Sequence, residues 1–314
     1  MTNEVRQTCA SGASGIAARE TAPVPPAVLL AAGVIAISFS AIFIKWCSAP
    51  APVIGAWRLW LSALLLSPAA WRQRHAFATL SSRDWGLLLA SGGFLGLHFL
   101  FWIGSLHTTS VASSMIITAL QPLFVMIGAF WAFGERTPPM GWWGVAVAMA
   151  GSALIPLGDR YQAGGALYGD LLSLLGTVAI SGYLLVGQAV RSRLPSVVYN
   201  LVVFSVAALV LSLASAGAGI PLTGYPAQDW GWFVLLAVIP TLFGHALFNW
   251  LLRFVEAATI SVTALGEPVG AIVLAALLLR EPVRWPQVVG GLLVLTGVAL
   301  YLHTIRRHPS ASRA

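Results

Sequence analysis

The stretch Thr263-Ala-Leu-Gly-Glu267-Pro268-Val-Gly-Ala-Ile-Val-Leu-Ala-Ala-Leu-Leu-Leu-Arg-Glu281 sets one carboxylate beside a proline inside an apolar run long enough to cross a bilayer. A carboxylate at that depth costs roughly 2.5–3.5 kcal/mol even on the lenient insertion scale, so it turns toward a bundle interior or a wet cavity, not lipid. Glu267 is therefore the first candidate functional residue. The pattern occurs once earlier, as Thr118-Ala-Leu-Gln121-Pro122-Leu-Phe-Val-Met-Ile-Gly-Ala-Phe-Trp-Ala-Phe-Gly-Glu135. In both copies the closing glutamate follows the proline by thirteen residues, and the copies lie 146 residues apart in a chain of 314. Such a spacing marks the chain as a duplicated unit.

Composition agrees with a membrane setting. The chain is 58% hydrophobic and 9% charged, with a mean hydropathy of +0.84; soluble domains carry about 45–50% apolar residues. The net charge of +7 does not point to nucleic acid, because the arginines sit singly at the ends of apolar runs with no aromatic-interleaved basic face. The two cysteines, Cys9 in the polar tail and Cys47 at the end of an apolar run, build neither a disulfide framework nor a metal motif. No metal or cofactor is expected.

Residues 1–26 lack the apolar core of a signal peptide and read as a disordered cytoplasmic tail. Ten apolar runs follow, near 27–46, 53–70, 85–105, 109–133, 140–157, 166–190, 197–217, 230–251, 258–279 and 285–303, with residues 304–314 as a second cytoplasmic tail. With the N-terminus inside, the cytoplasmic segments hold twelve Lys/Arg and the outer segments four, so both termini are expected in the cytoplasm. Trp46, Trp71, Trp85, Trp131, Trp142, Trp230 and Trp285 flank the runs as an interfacial belt would. Trp57, Trp102 and Trp250 lie deeper.

The duplication extends along the chain. Gly33-Val-Ile-Ala36-Ile37-Ser38 matches Gly176-Thr-Val-Ala179-Ile180-Ser181; Asp84-Trp85-Gly86 matches Asp229-Trp230-Gly231; and Gly144 and Gly151 match Gly290 and Gly297. The halves are 27–157 and 166–303. Each has five spans, an odd number, so the second must enter the membrane upside down. The expected fold is an all-α integral membrane protein of ten transmembrane helices in two inverted five-helix repeats.

On these features the chain resembles the EamA family of the drug/metabolite transporter superfamily. The likeness covers nearly everything after residue 26. It rests on a proline in the fourth helix of each half (Pro122, Pro268), an acidic residue after that helix (Glu135, Glu281) and a glycine-bearing fifth helix (Gly144 and Gly151, Gly290 and Gly297). It implies ten helices with both termini inside, a multi-pass protein of the plasma (inner) membrane, and a transport function. Cargo is not implied, because members move amino acids, sugars, nucleotide precursors and amines.

The polar residues within the spans are the candidate binding set. Glu267 falls about nine residues, or roughly 14 Å, into span nine; it could carry a proton, attract an ammonium group, or only shape the turn that Pro268 breaks. Gln121 is its uncharged counterpart. His98 and Trp102 share one face of span three, as His245 and Asn249 share one face of span eight. Imidazole titrates near neutral pH, so Glu267 and His98 are candidates for proton coupling, the alternative being a buried histidine that packs helices. Arg58 near the outer end of span two could bind a substrate carboxylate, pair with Glu267, or snorkel to water. Tyr183, Gln188 and Ser181 in span six, with Ser38, Ser40 and Lys45 in span one, could line the same cavity.

These residues favour a secondary transporter of a small polar metabolite, with amino acids or related amines as cargo, exported by rocking of one half against the other. Proton-coupled efflux of cationic drugs or amines needs only Glu267 and aromatic walls. A membrane enzyme would need a motif such as HExxH or GxSxG, and ATP-driven pumping a GxxxxGK[ST] loop; none occurs. A channel would need a continuous polar stripe that these spans lack. The expected partners are a small-molecule substrate, the lipid bilayer and protons, with no nucleic acid; a monomer or a homodimer would serve.

Overall fold

In a computed structural model the described residues are 24–108, 114, 117–155, 167–190, 193–280 and 282–307. Glu281, most of both tails and the connector between the halves lie outside them.

Proline sets many of the helix starts, since a first-turn residue needs no amide donor. It occupies the first or second position of α1 (Pro26–Trp46), α2 (Ala51–Arg72), α4 (Gln121–Phe133) and α5 (Pro139–Leu154). Between α2 and α4 runs α3 (Ser82–Thr108). The second half comprises α6 (Leu167–Val190), α7 (Ser196–Gly217), α8 (Ala227–Leu251), α9 (Ala257–Leu278) and α10 (Trp285–Arg307). Eight of these are long and apolar enough to cross a membrane. The helix described in span four, α4, is shorter.

Two departures from regular helix position the interior. In α9 the chain breaks at Leu265 and Gly266, so Ala257–Ala264 and Glu267–Leu274 are separate half-helices, with Glu267 and Pro268 in the first turn of the second. Span four breaks at the equivalent place, Ala119 and Leu120, before Gln121 and Pro122. In α8, Ala237–Ala246 forms a π-helix around Pro240. Pro240 has no amide to offer the Leu236 carbonyl, and the Thr241 hydroxyl takes it at 2.8 Å.

Where helices touch through glycine, their relative direction can be read. A Cβ on Gly144 would lie 2.8 Å from the Gly297 carbonyl, and one on Gly151 would lie 2.5 Å from the Gly290 carbonyl. The sequence numbers run in opposite senses, so α5 and α10, the equivalent fifth helices, cross antiparallel with their backbones in contact. The pairing of α3 with α6 repeats as α1 with α8, that of α4 with α6 as α1 with the second half of α9, and α2 packs on its own equivalent α7. Exchanging the halves maps these contacts onto one another, which is the pseudo-twofold of an inverted repeat.

Candidate functional site

A cavity of about 140 Å³ opens between the halves, with room for on the order of ten water molecules. Seven of the nine candidate residues line it: Glu267, Gln121, His98, Trp102, His245, Tyr183 and Arg58. They come from six helices, so only the folded bundle brings them together.

The two breaks meet at this cavity. Gln121 and Glu267 are each the first residue of a half-helix, neither start is capped by a side chain, and both residues line the cavity. The partial positive charge of a helix start favours an anion there, and Glu267 supplies a carboxylate where Gln121 supplies a neutral amide. Each break lies against a serine of the other half. Ser38 Oγ donates to the Val34 carbonyl of its own helix at 2.7 Å and lies 3.1 Å from the Glu267 carbonyl, and Ser181 Oγ donates to the Thr177 carbonyl at 2.8 Å and lies 3.5 Å from the Gln121 carbonyl. Ser38 thus stands behind the lining, against the backbone on which Glu267 is mounted.

Arg58 neither snorkels nor pairs with Glu267. It is 1% exposed, and its guanidinium makes its contacts to neutral groups, not to the Glu267 carboxylate. Its Nε donates to Thr241 Oγ1 at 3.1 Å and its Nη1 to Ser40 Oγ at 3.2 Å, while its carbon centre lies 4.6 Å from the centroid of the Phe99 ring. Hydroxyls from α1 and α8 and an aromatic face therefore hold the guanidinium inside. Nη2 is buried with no hydrogen-bond partner.

Phe99 also joins the histidines. His245 meets it edge-on at 5.8 Å between centroids, and His98 stacks on Trp102 at 5.9 Å. His98 Nδ1 lies 2.9 Å from the Gly176 carbonyl. A carbonyl only accepts, so Nδ1 carries the hydrogen and Nε2 is left as an acceptor.

Asn249 serves the cavity indirectly. Tyr183 donates its hydroxyl to Asn249 Oδ1 at 2.8 Å, and Asn249 Nδ2 donates to Asn200 Oδ1. The chain of bonds ties α6, α8 and α7 and holds the Tyr183 ring at the cavity wall. Ser40 and Tyr183 reach the cavity as expected, whereas Gln188 does not. Gln188 Nε2 donates to Glu135 Oε1 at 2.7 Å and its Oε1 accepts from the Ala257 amide, linking the end of α4 to the start of α9. Of the deeper tryptophans, Trp102 lines the cavity, Trp57 donates to the Leu222 carbonyl at 2.7 Å and Trp250 packs on Phe254. Phe99 and Thr241 were missed by sequence reasoning. For Thr241 the signal was its place beside Pro240, where a hydroxyl can replace the missing donor.

The comparisons with known proteins agree with this architecture. An uncharacterized transporter of Archaeoglobus fulgidus is 27% identical over 212 residues, covering 64% of this chain and 71% of its own. The uncharacterized transporter YyaM of Bacillus subtilis is 24% identical over 226 residues, covering 70% and 73%. A solved crystal structure shares the fold with a TM-score of 0.77 at 18% identity, covering 91% of this chain and 99% of its own. The profile of the EamA-like transporter family matches twice, over residues 25–157 and 167–302, one match to each half. With these matches and its multiple apolar helices, the chain is a multi-pass membrane protein that belongs to the EamA-like transporter family.

Proposed function

We propose that this protein is a secondary transporter that exports a small polar metabolite, an amino acid or related amine, by alternating access of the repeats 27–157 and 166–303. It sits in the plasma (inner) membrane with both termini cytoplasmic, and one chain contains a complete site whether it works as a monomer or a homodimer. The observation that carries the reading is the cavity between the halves with the Glu267 carboxylate on its wall, at the first turn of a broken helix. A carboxylate there is the group that would meet an ammonium or take up a proton, and His98, with Nε2 left as an acceptor, is a second proton site. Reconstituted vesicles carrying Glu267→Gln test it: loss of uptake of the cargo, or loss of its pH dependence, is expected. Unchanged uptake and unchanged pH response across every amino acid and amine tried would refute a role for Glu267.

The aromatic walls favour a second reading, proton-coupled efflux of cationic amines, since Trp102, Phe99 and Tyr183 all border the cavity. It differs from the first in taking cationic amines alone and in tying their efflux to protons.

A further inference from the structure

The guanidinium of Arg58 is a positive charge among the helices with no carboxylate in direct contact among the described residues; Glu267 acts on it only across the cavity. Its partners are the neutral hydroxyls of Thr241 and Ser40 and the face of Phe99. Glu267 borders the same cavity without forming an ion pair with it. Of its donor nitrogens, Nη2 alone lacks an acceptor. Burying an uncompensated charge is costly, and a helical bundle tolerates it where a ligand or a partner completes it. Arginine is also the cation whose planar fork matches a carboxylate.

We propose that Arg58 is the specificity residue of the cavity: it makes a carboxylate obligatory on the cargo, so that the cargo is an amino acid with an apolar side chain and not a simple amine. The proposal rests on the transport reading given above and names its substrate class. The ligand spans the cavity, its carboxylate at Arg58 and its ammonium at Glu267, and gives direct partners to two opposite charges that do not touch each other. Ile37, Ile180, Leu184 and Phe248 on the remaining wall suit an apolar side chain. A phosphate dianion is disfavoured, because one cation would face two negative charges with Glu267 nearby. Nη2 is covered in this structure, so binding entails a small shift of the guanidinium or of Phe99, of the side-chain kind common at binding sites.

The test needs no substitution at first. Wild-type protein in proteoliposomes is assayed for uptake of labelled leucine, methionine and phenylalanine. Each is competed by itself, by its decarboxylated amine and by its 2-oxo acid. At least one amino acid should be taken up and compete, with its amine and its oxo acid each weaker by about tenfold or more, the scale of a lost charge-assisted hydrogen bond. In Arg58→Met that amino acid should lose its advantage over its amine, while Arg58→Lys, which keeps the charge without the fork, should fall between. An amine that competes as well as its amino acid in the wild type overturns the proposal and leaves the transport reading standing on amines. Equal preference for the amino acid in Arg58→Met also overturns it. Uptake of no amino acid and no amine overturns both. Should Arg58→Met fail to yield monodisperse protein, the wild-type competition series and Arg58→Lys decide the matter.

Discussion

Replacing Gly151 by alanine should loosen the whole α5–α10 seam, and the cost can be worked from the packing. The added Cβ would lie 2.5 Å from the Gly290 carbonyl oxygen, 2.7 Å from the Val294 amide nitrogen and 2.8 Å from Leu293 Cβ. Two of these atoms are backbone and cannot rotate away, so α10 must retreat by roughly 1 Å to reach ordinary contact, which forfeits a quarter to a half of the dispersion well along the crossing. Overpacking of this kind costs about 1–3 kcal/mol, offset in part by the roughly 0.5–1 kcal/mol that alanine gains over glycine inside a helix. The net expectation is a loss of about 1–2 kcal/mol. Gly93→Ala in α3 is the control, because a Cβ there meets nothing within 4 Å; it should gain about 0.5–1 kcal/mol. The assay is the temperature at which detergent-solubilised protein loses its monodisperse chromatographic peak. Gly151→Ala should fall by a few degrees and Gly93→Ala should hold or rise. If Gly151→Ala keeps the wild-type midpoint, or both variants shift together, the two fifth helices are not in backbone contact and the antiparallel crossing is wrong.

Further outcomes follow from single contacts. Arg280 ends α9 at φ 56°, the place where Gly134 ends α4 at φ 70°; left-handed backbone costs a side-chain-bearing residue roughly 1–2 kcal/mol, so Arg280→Gly should raise the thermal midpoint, and a fall would refute the strain. Tyr183→Phe leaves Asn249 Oδ1 without its donor and should destabilise by about 1–3 kcal/mol, read in the same melting assay; an unchanged midpoint would show the bond carries no weight. Burial pushes the Cys47 thiol up to about 11, with the negative charge of nearby Asp229 adding to the rise. A raised thiol pKa means less thiolate below it, so in a Cys9→Ser background Cys47 should alkylate on the order of a hundredfold more slowly at pH 8 than an ordinary thiol. Labelling at the rate of a free thiol would contradict that.

Much of this arrangement was legible in the sequence because the bilayer constrains it so tightly. The runs around Gly33, Asp84 and Gly144 each recur in the second half, and an odd number of spans per half leaves inversion as the consequence. Glu267 and Gln121 announced themselves by standing before Pro268 and Pro122, and the chain does break there, two residues before each polar side chain. What the sequence did not carry was direction around a helix axis. Beside Arg58 in α2 only Ser62, one turn on, is polar, too weak a signal to tell water from interior; that was settled by Ser40 on α1 and Thr241 on α8, residues distant in the chain. The π-helix of α8 was hidden for a related reason: a proline in an apolar span reads as a kink, and the wider coil around Pro240, with the Thr241 hydroxyl on the Leu236 carbonyl, has no mark of its own in the sequence. Gln188 is a polar residue of span six like Tyr183, and its bonds to Glu135 and the Ala257 amide take it elsewhere.

For the alternating-access carrier proposed above, the unequal sequences of the two breaks have a thermodynamic corollary. Were the halves identical in sequence, a carrier that exchanges their roles would face either side of the membrane with equal free energy. Here the degeneracy would be lifted: a carboxylate at Glu267 opposes an amide at Gln121, and Pro240-Thr241 in α8 stands where the Asp84–Asp229 register places Leu95-Gly96 in α3. A mismatch of about 1 kcal/mol, the net worth of one hydrogen bond, is enough to tilt the resting population about fivefold toward one side.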